Sequence, residues 1–116
     1  MAAEVSEREK LEGLASYLDA ARGGLVRGDW GISQGALREF FNGMPEFLEA
    51  SKLPAINKGR LDAVVEFVND SRDRLVHGME VNKWDLKRTI AFYHLYERLD
   101  TLKEVLGNYI STWYKP

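Results

Sequence analysis

The chain has 116 residues, of which 45% are hydrophobic and 29% charged, a balance that fits one globular domain rather than a disordered segment. It contains no cysteine, which excludes thiol catalysis, disulfides and cysteine-ligated zinc. The formal net charge of −2 is unevenly spread: residues 1–51 carry 9 acidic and 5 basic side chains, residues 52–88 carry 6 and 8, so only the middle of the chain offers a local anion-attracting patch.

The first ten residues are charged and lack an apolar signal core, and no run of about 18 apolar residues occurs, so no membrane span is expected and the cytoplasm is the default location. Helix one is expected to open on Ser6 and Glu9, a capping-box pair. Leu11, Leu14, Ala15, Leu18 and Ala21 then follow at helical spacing. Gly23 and Gly24 are expected to end it, and four glycines within 23–32 read as a loop. Ser33 is the expected N-cap of helix two, whose apolar face is Leu37, Phe40, Phe41 and Met44. Pro45 lacks an amide hydrogen and crowds the preceding turn, which predicts a break there and a short further turn through Phe47 and Leu48.

Pro54 and Asn57 mark the next boundary. Helix three is expected over about 58–77, with Leu61, Val64, Val65, Val68, Leu75 and Val76 inward and Gly78 as its left-handed terminator. Asn82 and Asp85 form a second cap-like pair opening helix four, about 31 residues or roughly 46 Å long. Along it Leu95, Leu99, Leu102, Leu106, Tyr109 and Trp113 alternate steps of four and three, a heptad seam. That seam serves either the core of a bundle or a second subunit. The expectation is a single all-α domain over residues 1–116, four main helices in an up-down bundle-like arrangement with a long C-terminal helix.

One stretch carries possible chemistry: Ser71-Arg72-Asp73-Arg74-Leu75-Val76-His77-Gly78. Histidine titrates near neutrality and serves as a base, while arginine presents a fixed fork of donors to phosphate oxygens. Asp73 precedes His77 by four residues, one turn away, in reach to orient the imidazole. On an unbroken helix the step from Arg72 to His77 is about 140°, so one helix does not aim both at one phosphate, whereas two copies across a two-fold axis can. A purely structural reading stands beside this: Arg72 pairs with a carboxylate of a neighbouring helix and His77 caps a helix C-terminus. Arg88 and His94 form a second pair of similar spacing, but Thr89 and an aromatic context follow, and His94 is expected at the edge of a packed helix. Trp30, Trp84 and Trp113 read as core or interface, while Tyr93, His94 and Tyr96 have the chemistry to stack on bases. The two histidines lie 17 positions apart with no carboxylate pair at ligand spacing, so no metal or other cofactor is expected.

The octet, its position at the end of helix three and the long helix that follows resemble the HEPN superfamily, small helical domains found in many prokaryotic RNA-cutting toxins and defence proteins. Met79 stands where many members carry a tyrosine. The resemblance implies a homodimer whose paired motifs form one cleft and cut RNA without metal, with a protein partner such as an antitoxin. In that reading Arg72 and His77 are catalytic, Asp73 orients, and Arg74, Lys83, Lys87 and Arg88 hold RNA. The alternative is a non-catalytic helical interaction module or small subunit of a larger assembly, using the seam and aromatic end of helix four.

Overall fold

The computed structural model describes residues 6–81 and 90–114. They form four helices and no strand among the described residues: α1 (Glu7–Arg27), α2 (Trp30–Ala50), α3 (Ala55–Val81) and α4 (Ile90–Trp113). The all-α, four-helix, bundle-like expectation holds, and several boundaries move.

α1 starts where the capping signal stands, with the Ser6 hydroxyl accepting from the Glu9 amide at 3.1 Å. Leu11, Leu14, Leu18, Ala21 and Leu25 are its buried stripe. The helix does not stop at Gly23–Gly24. It continues to Gly28, whose φ of 75° is the left-handed closure, with Gly28 N–H bonded to Leu25 and Asp29 N–H to the Gly24 carbonyl, a Schellman pair. Gly24 serves proximity instead: a Cβ there would come within 2.9 Å of the Ser33 amide nitrogen and 3.0 Å of the Asp29 carbonyl. The missing side chain lets the start of α2 lie directly on α1.

Asp29, not Ser33, caps α2, its carboxylate accepting from the Ile32 amide at 3.2 Å. Ser33 lies inside the helix, fully buried, and donates to the Ala21 carbonyl of α1 at 2.6 Å. A buried hydroxyl needs such a partner. The expected break at Pro45 is also absent, since α2 runs through it to Ala50. Met44 and Phe47, on either side of the proline, are both buried. Burying both requires the two halves to remain in line, which offsets the roughly 3 kcal/mol cost of an interior proline.

On α3 the inward positions are Leu61, Val65, Val68, Ser71, Leu75 and Gly78. Gly78 does not terminate the helix, which extends to Val81. Val76 sits on the flank rather than in the row. On α4 the seam is real: Leu95, Leu99, Leu102 and Leu106 are fully buried, Tyr109 is half-buried, and Trp113 is 49% exposed. The expected opening of this helix at Asn82 and Asp85 lies outside the described residues, as does Trp84.

α1 packs chiefly on α2 and also on α4, and α3 packs on α4. Polar ties pin these contacts. Arg22 of α1 reaches Asp100 at 2.8 Å and Tyr96 Oη at 3.2 Å, and Lys103 pairs with Asp19. Asn57 at the start of α3 donates to Tyr109 Oη at 3.1 Å. No described helix is long and apolar enough to cross a membrane.

Candidate functional site

α3 and α4 run antiparallel, because Asn57 meets Tyr109 near one end while Phe67 and Ser71 meet Arg98 further along. Arg98 is the fixed point of this register. Its guanidinium donates to the Phe67 carbonyl at 3.2 Å and to the Ser71 hydroxyl, and lies over the Phe67 ring, 4.4 Å from the centroid. Ser71 is the one polar residue in the α3 core row, and it is satisfied there by donating to the Phe67 carbonyl at 3.2 Å and accepting from Arg98.

Beyond Arg98 the two helices enclose a depression of about 450 Å3, lined by Ser71, Asp73, Arg74 and His77 of α3 and by Ile90, Ala91 and His94 of α4. The helical period accounts for most of the set: 71, 74 and 77 recur at steps of three on α3, and 91 and 94 are three apart on α4. His77, Asp73, Arg74 and His94 are exposed, as a solvent-facing site requires.

The predicted residues divide between two surfaces. Asp73, Arg74 and His77 come together in the depression, while Arg72 turns toward α2, its guanidinium 4.9 Å from the Phe41 ring centroid. Arg72 and His77 therefore diverge, as the helical step demands. The buried row at that level is occupied by Ser71, with Arg72 beside it. The carboxylate partner of Arg72 is not on a neighbouring helix but is Asp73, at 3.2 Å. Asp73, expected to orient His77, is thus occupied in accepting from Arg72. Arg74 pairs with Asp70 one turn back, 3.6 Å apart, an exposed pair that breaks at little cost. His77 is not a C-terminal cap, because α3 continues past it to Val81. Lys83, Lys87 and Arg88 fall outside the described residues.

His94 is the residue that sequence spacing set aside. Its pairing with Arg88 pointed nowhere, yet its place one turn before Arg98 carries it into the same depression as His77. The signal was the antiparallel register, which needs the Arg98–Ser71 contact to be known. Of the aromatic residues, Tyr93 is exposed, whereas Tyr96 is engaged with Arg22, whose guanidinium also lies 5.2 Å from its ring centroid. Among the described residues no group of three or more His, Asp or Glu side chains could hold a metal ion.

A second cluster links both ends of the described chain. Tyr114 Oη donates to Glu7 Oε2 at 2.8 Å, the Ser51 hydroxyl donates to the same oxygen at 3.2 Å, and Lys52 N–H reaches Glu7 Oε1 at 2.8 Å. Burial pushes the Glu7 carboxyl up, but hydrogen bonds from Tyr114, the Lys52 amide and Ser51 outweigh it and leave the pKa lowered. Burial, reinforced by the Glu7 carboxylate, pushes Tyr114 up to about 12. This cluster reads as structural, since its polar groups satisfy one another.

No family model, curated protein or solved structure matches the chain.

Proposed function

We propose that the chain is a HEPN-like, metal-independent endoribonuclease working as a homodimer on RNA, in the manner of a toxin or defence component held in check by a protein partner. The observation that supports this reading is the depression between α3 and α4, where His77 and Arg74 share one solvent-facing wall. Metal-free RNA cleavage needs a base for the 2′-hydroxyl proton and a cation for the phosphorane charge. His77 is the base in this reading, and Arg74 is the cation that its own protomer supplies. Arg72, turned toward Phe41, reaches a phosphate only in a neighbouring motif, which is why the reading needs a second copy.

The test is incubation with single-stranded RNA in the presence of a chelator. The expected products end in a 2′,3′-cyclic phosphate, with an unchanged rate when chelator is added. His77→Ala should lower the rate by roughly 10²–10⁴-fold, the scale of losing a positioned acid or base. Activity retained in a folded His77→Ala protein, or abolished by chelator, sinks the reading.

A second reading, a helical interaction module, is favoured by one observation. Ile56 and Phe67 on α3, and Ile90 and Tyr93 on α4, are all more than half exposed. Of these, Ile90 and Tyr93 are three residues apart and share one face of α4, and an exposed apolar pair on one face suits a protein partner. In a chain that cuts no RNA, loss of partner binding in Phe67→Asp supports this second reading, and binding retained in that variant counts against it.

A further inference from the structure

We infer that His94 is the general acid of the α3–α4 depression, the group that protonates the departing 5′-oxygen of a ribonucleotide phosphodiester. The inference rests on reading that depression as an RNA-cleaving site. It adds the component that the reading lacks, because transesterification at phosphorus moves two protons, and a single histidine serves one of them at a time.

The geometry supplies the second group. Arg98 bonds Ser71 and the Phe67 carbonyl across the antiparallel interface. Advancing one turn on α3 and retreating one turn on α4 brings Arg74 opposite His94, and a further turn brings His77 opposite Ala91. The two imidazoles are thus offset by about one turn along the helix axes, roughly 5 Å, both lining the same depression. A phosphodiester seated between them has one imidazole toward each of its ends. Arg74 faces His94 from the α3 wall, one turn short of His77, and its guanidinium meets the non-bridging oxygens once its exposed pair with Asp70 opens. Ile90 and Ala91 give an apolar flank.

The step balances without a co-reactant. The 2′-oxygen forms a bond to phosphorus as His77 takes its proton. The bond from phosphorus to the 5′-oxygen breaks as the His94 imidazolium gives up a proton to that oxygen. The products are a 2′,3′-cyclic phosphate and a free 5′-hydroxyl, and exchange with water restores both imidazoles.

A pair of substrates separates acid from base. A ribodinucleoside monophosphate has an alkoxide leaving group that needs a proton, whereas a ribonucleoside 3′-(4-nitrophenyl phosphate) releases a stable phenolate that does not. His94→Ala should cut turnover of the first by roughly 10²–10⁴-fold and leave the second near the wild-type rate. His77→Ala should slow both. Equal loss on both substrates, or no loss on either, in His94→Ala overturns the acid assignment while leaving the nuclease reading intact. A wild-type protein that cuts neither substrate overturns both. Folding of the variants is checked by circular dichroism, and His94→Gln offers a variant nearer in size. An independent readout is available because the chain has two histidines, giving two imidazole Cε1–H resonances. Inorganic phosphate should shift both resonances in wild type, and a shift confined to His77 overturns the proposal.

Discussion

Arg72 lies over the ring of Phe41, 4.9 Å from its centroid, so the first cation of the octet also fastens α3 to α2. Contacts between those two helices are otherwise sparse. Such a pair contributes about 0.5–1 kcal/mol when partly exposed. Phe41→Leu should therefore lower stability by about 1 kcal/mol and leave Arg72 freer to meet a phosphate. Arg72→Ala should lose a similar amount of stability. Under the nuclease reading it should also lose at least ~10²-fold in cleavage, the scale of removing one charge-stabilising group. Denaturant melts beside cleavage rates separate the two effects, and a rate loss no larger than the stability loss predicts would make Arg72 a structural residue.

Two glycines of α1 should respond in opposite directions to alanine. At Gly24 a Cβ meets the Ser33 amide nitrogen at 2.9 Å, so Gly24→Ala should cost about 1–3 kcal/mol by forcing α1 and α2 apart. At Gly13 a Cβ meets nothing within 4 Å, so Gly13→Ala should stabilise by about 0.5–1 kcal/mol through helix propensity and chain entropy. Thermal melts of the two variants check the pair.

The Glu7–Tyr114 contact gives the fold a dependence on pH at both extremes. Tyr114 is raised to about 12 from an ordinary value of 10.0, so its contribution is complete below pH 10 and is lost as pH rises toward 12. The Glu7 carboxyl is lowered from 4.5, so its contribution is present above that value and is lost as pH falls below it. Tyr114→Phe should flatten the alkaline arm and weaken the acid arm. Urea midpoints measured across pH 3–12 give the answer, and an unchanged alkaline arm in Tyr114→Phe would show that the loss arises elsewhere.

The homodimer should appear as a doubled mass in light scattering at high micromolar concentration and dissociate on dilution. Phe67→Asp, at a 60% exposed position of α3, should shift that equilibrium toward the monomer if the α3–α4 face is the interface. A monomer mass throughout removes the second copy that Arg72 needs to act.

Helix number, the apolar stripes of α1 and the leucine seam of α4 were legible because burial in a bundle imposes a period that side-chain type alone records. The errors share one cause. At Gly24, Ser33 and Pro45 local preference points one way and the tertiary neighbour decides otherwise. Gly24 is required by Ser33, Ser33 finds an acceptor at Ala21, and Pro45 is held in helix by buried Met44 and Phe47. At the site, the divergence of Arg72 from His77 followed from helix geometry alone. The entry of His94 depended on the register between α3 and α4, which no spacing within either helix encodes.

The Tyr114–Glu7 hydrogen bond joins positions 107 apart, whereas α1 and α2 meet through a turn at Gly28–Asp29. Closing the long loop costs more chain entropy than closing the short one, so the α1–α2 hairpin should assemble early and the last turn of α4 should dock late. The same ordering should appear in reverse in the native state. Amide protons near Glu7 and near Tyr114 should exchange together in one local opening, well before those along the leucines of the central seam.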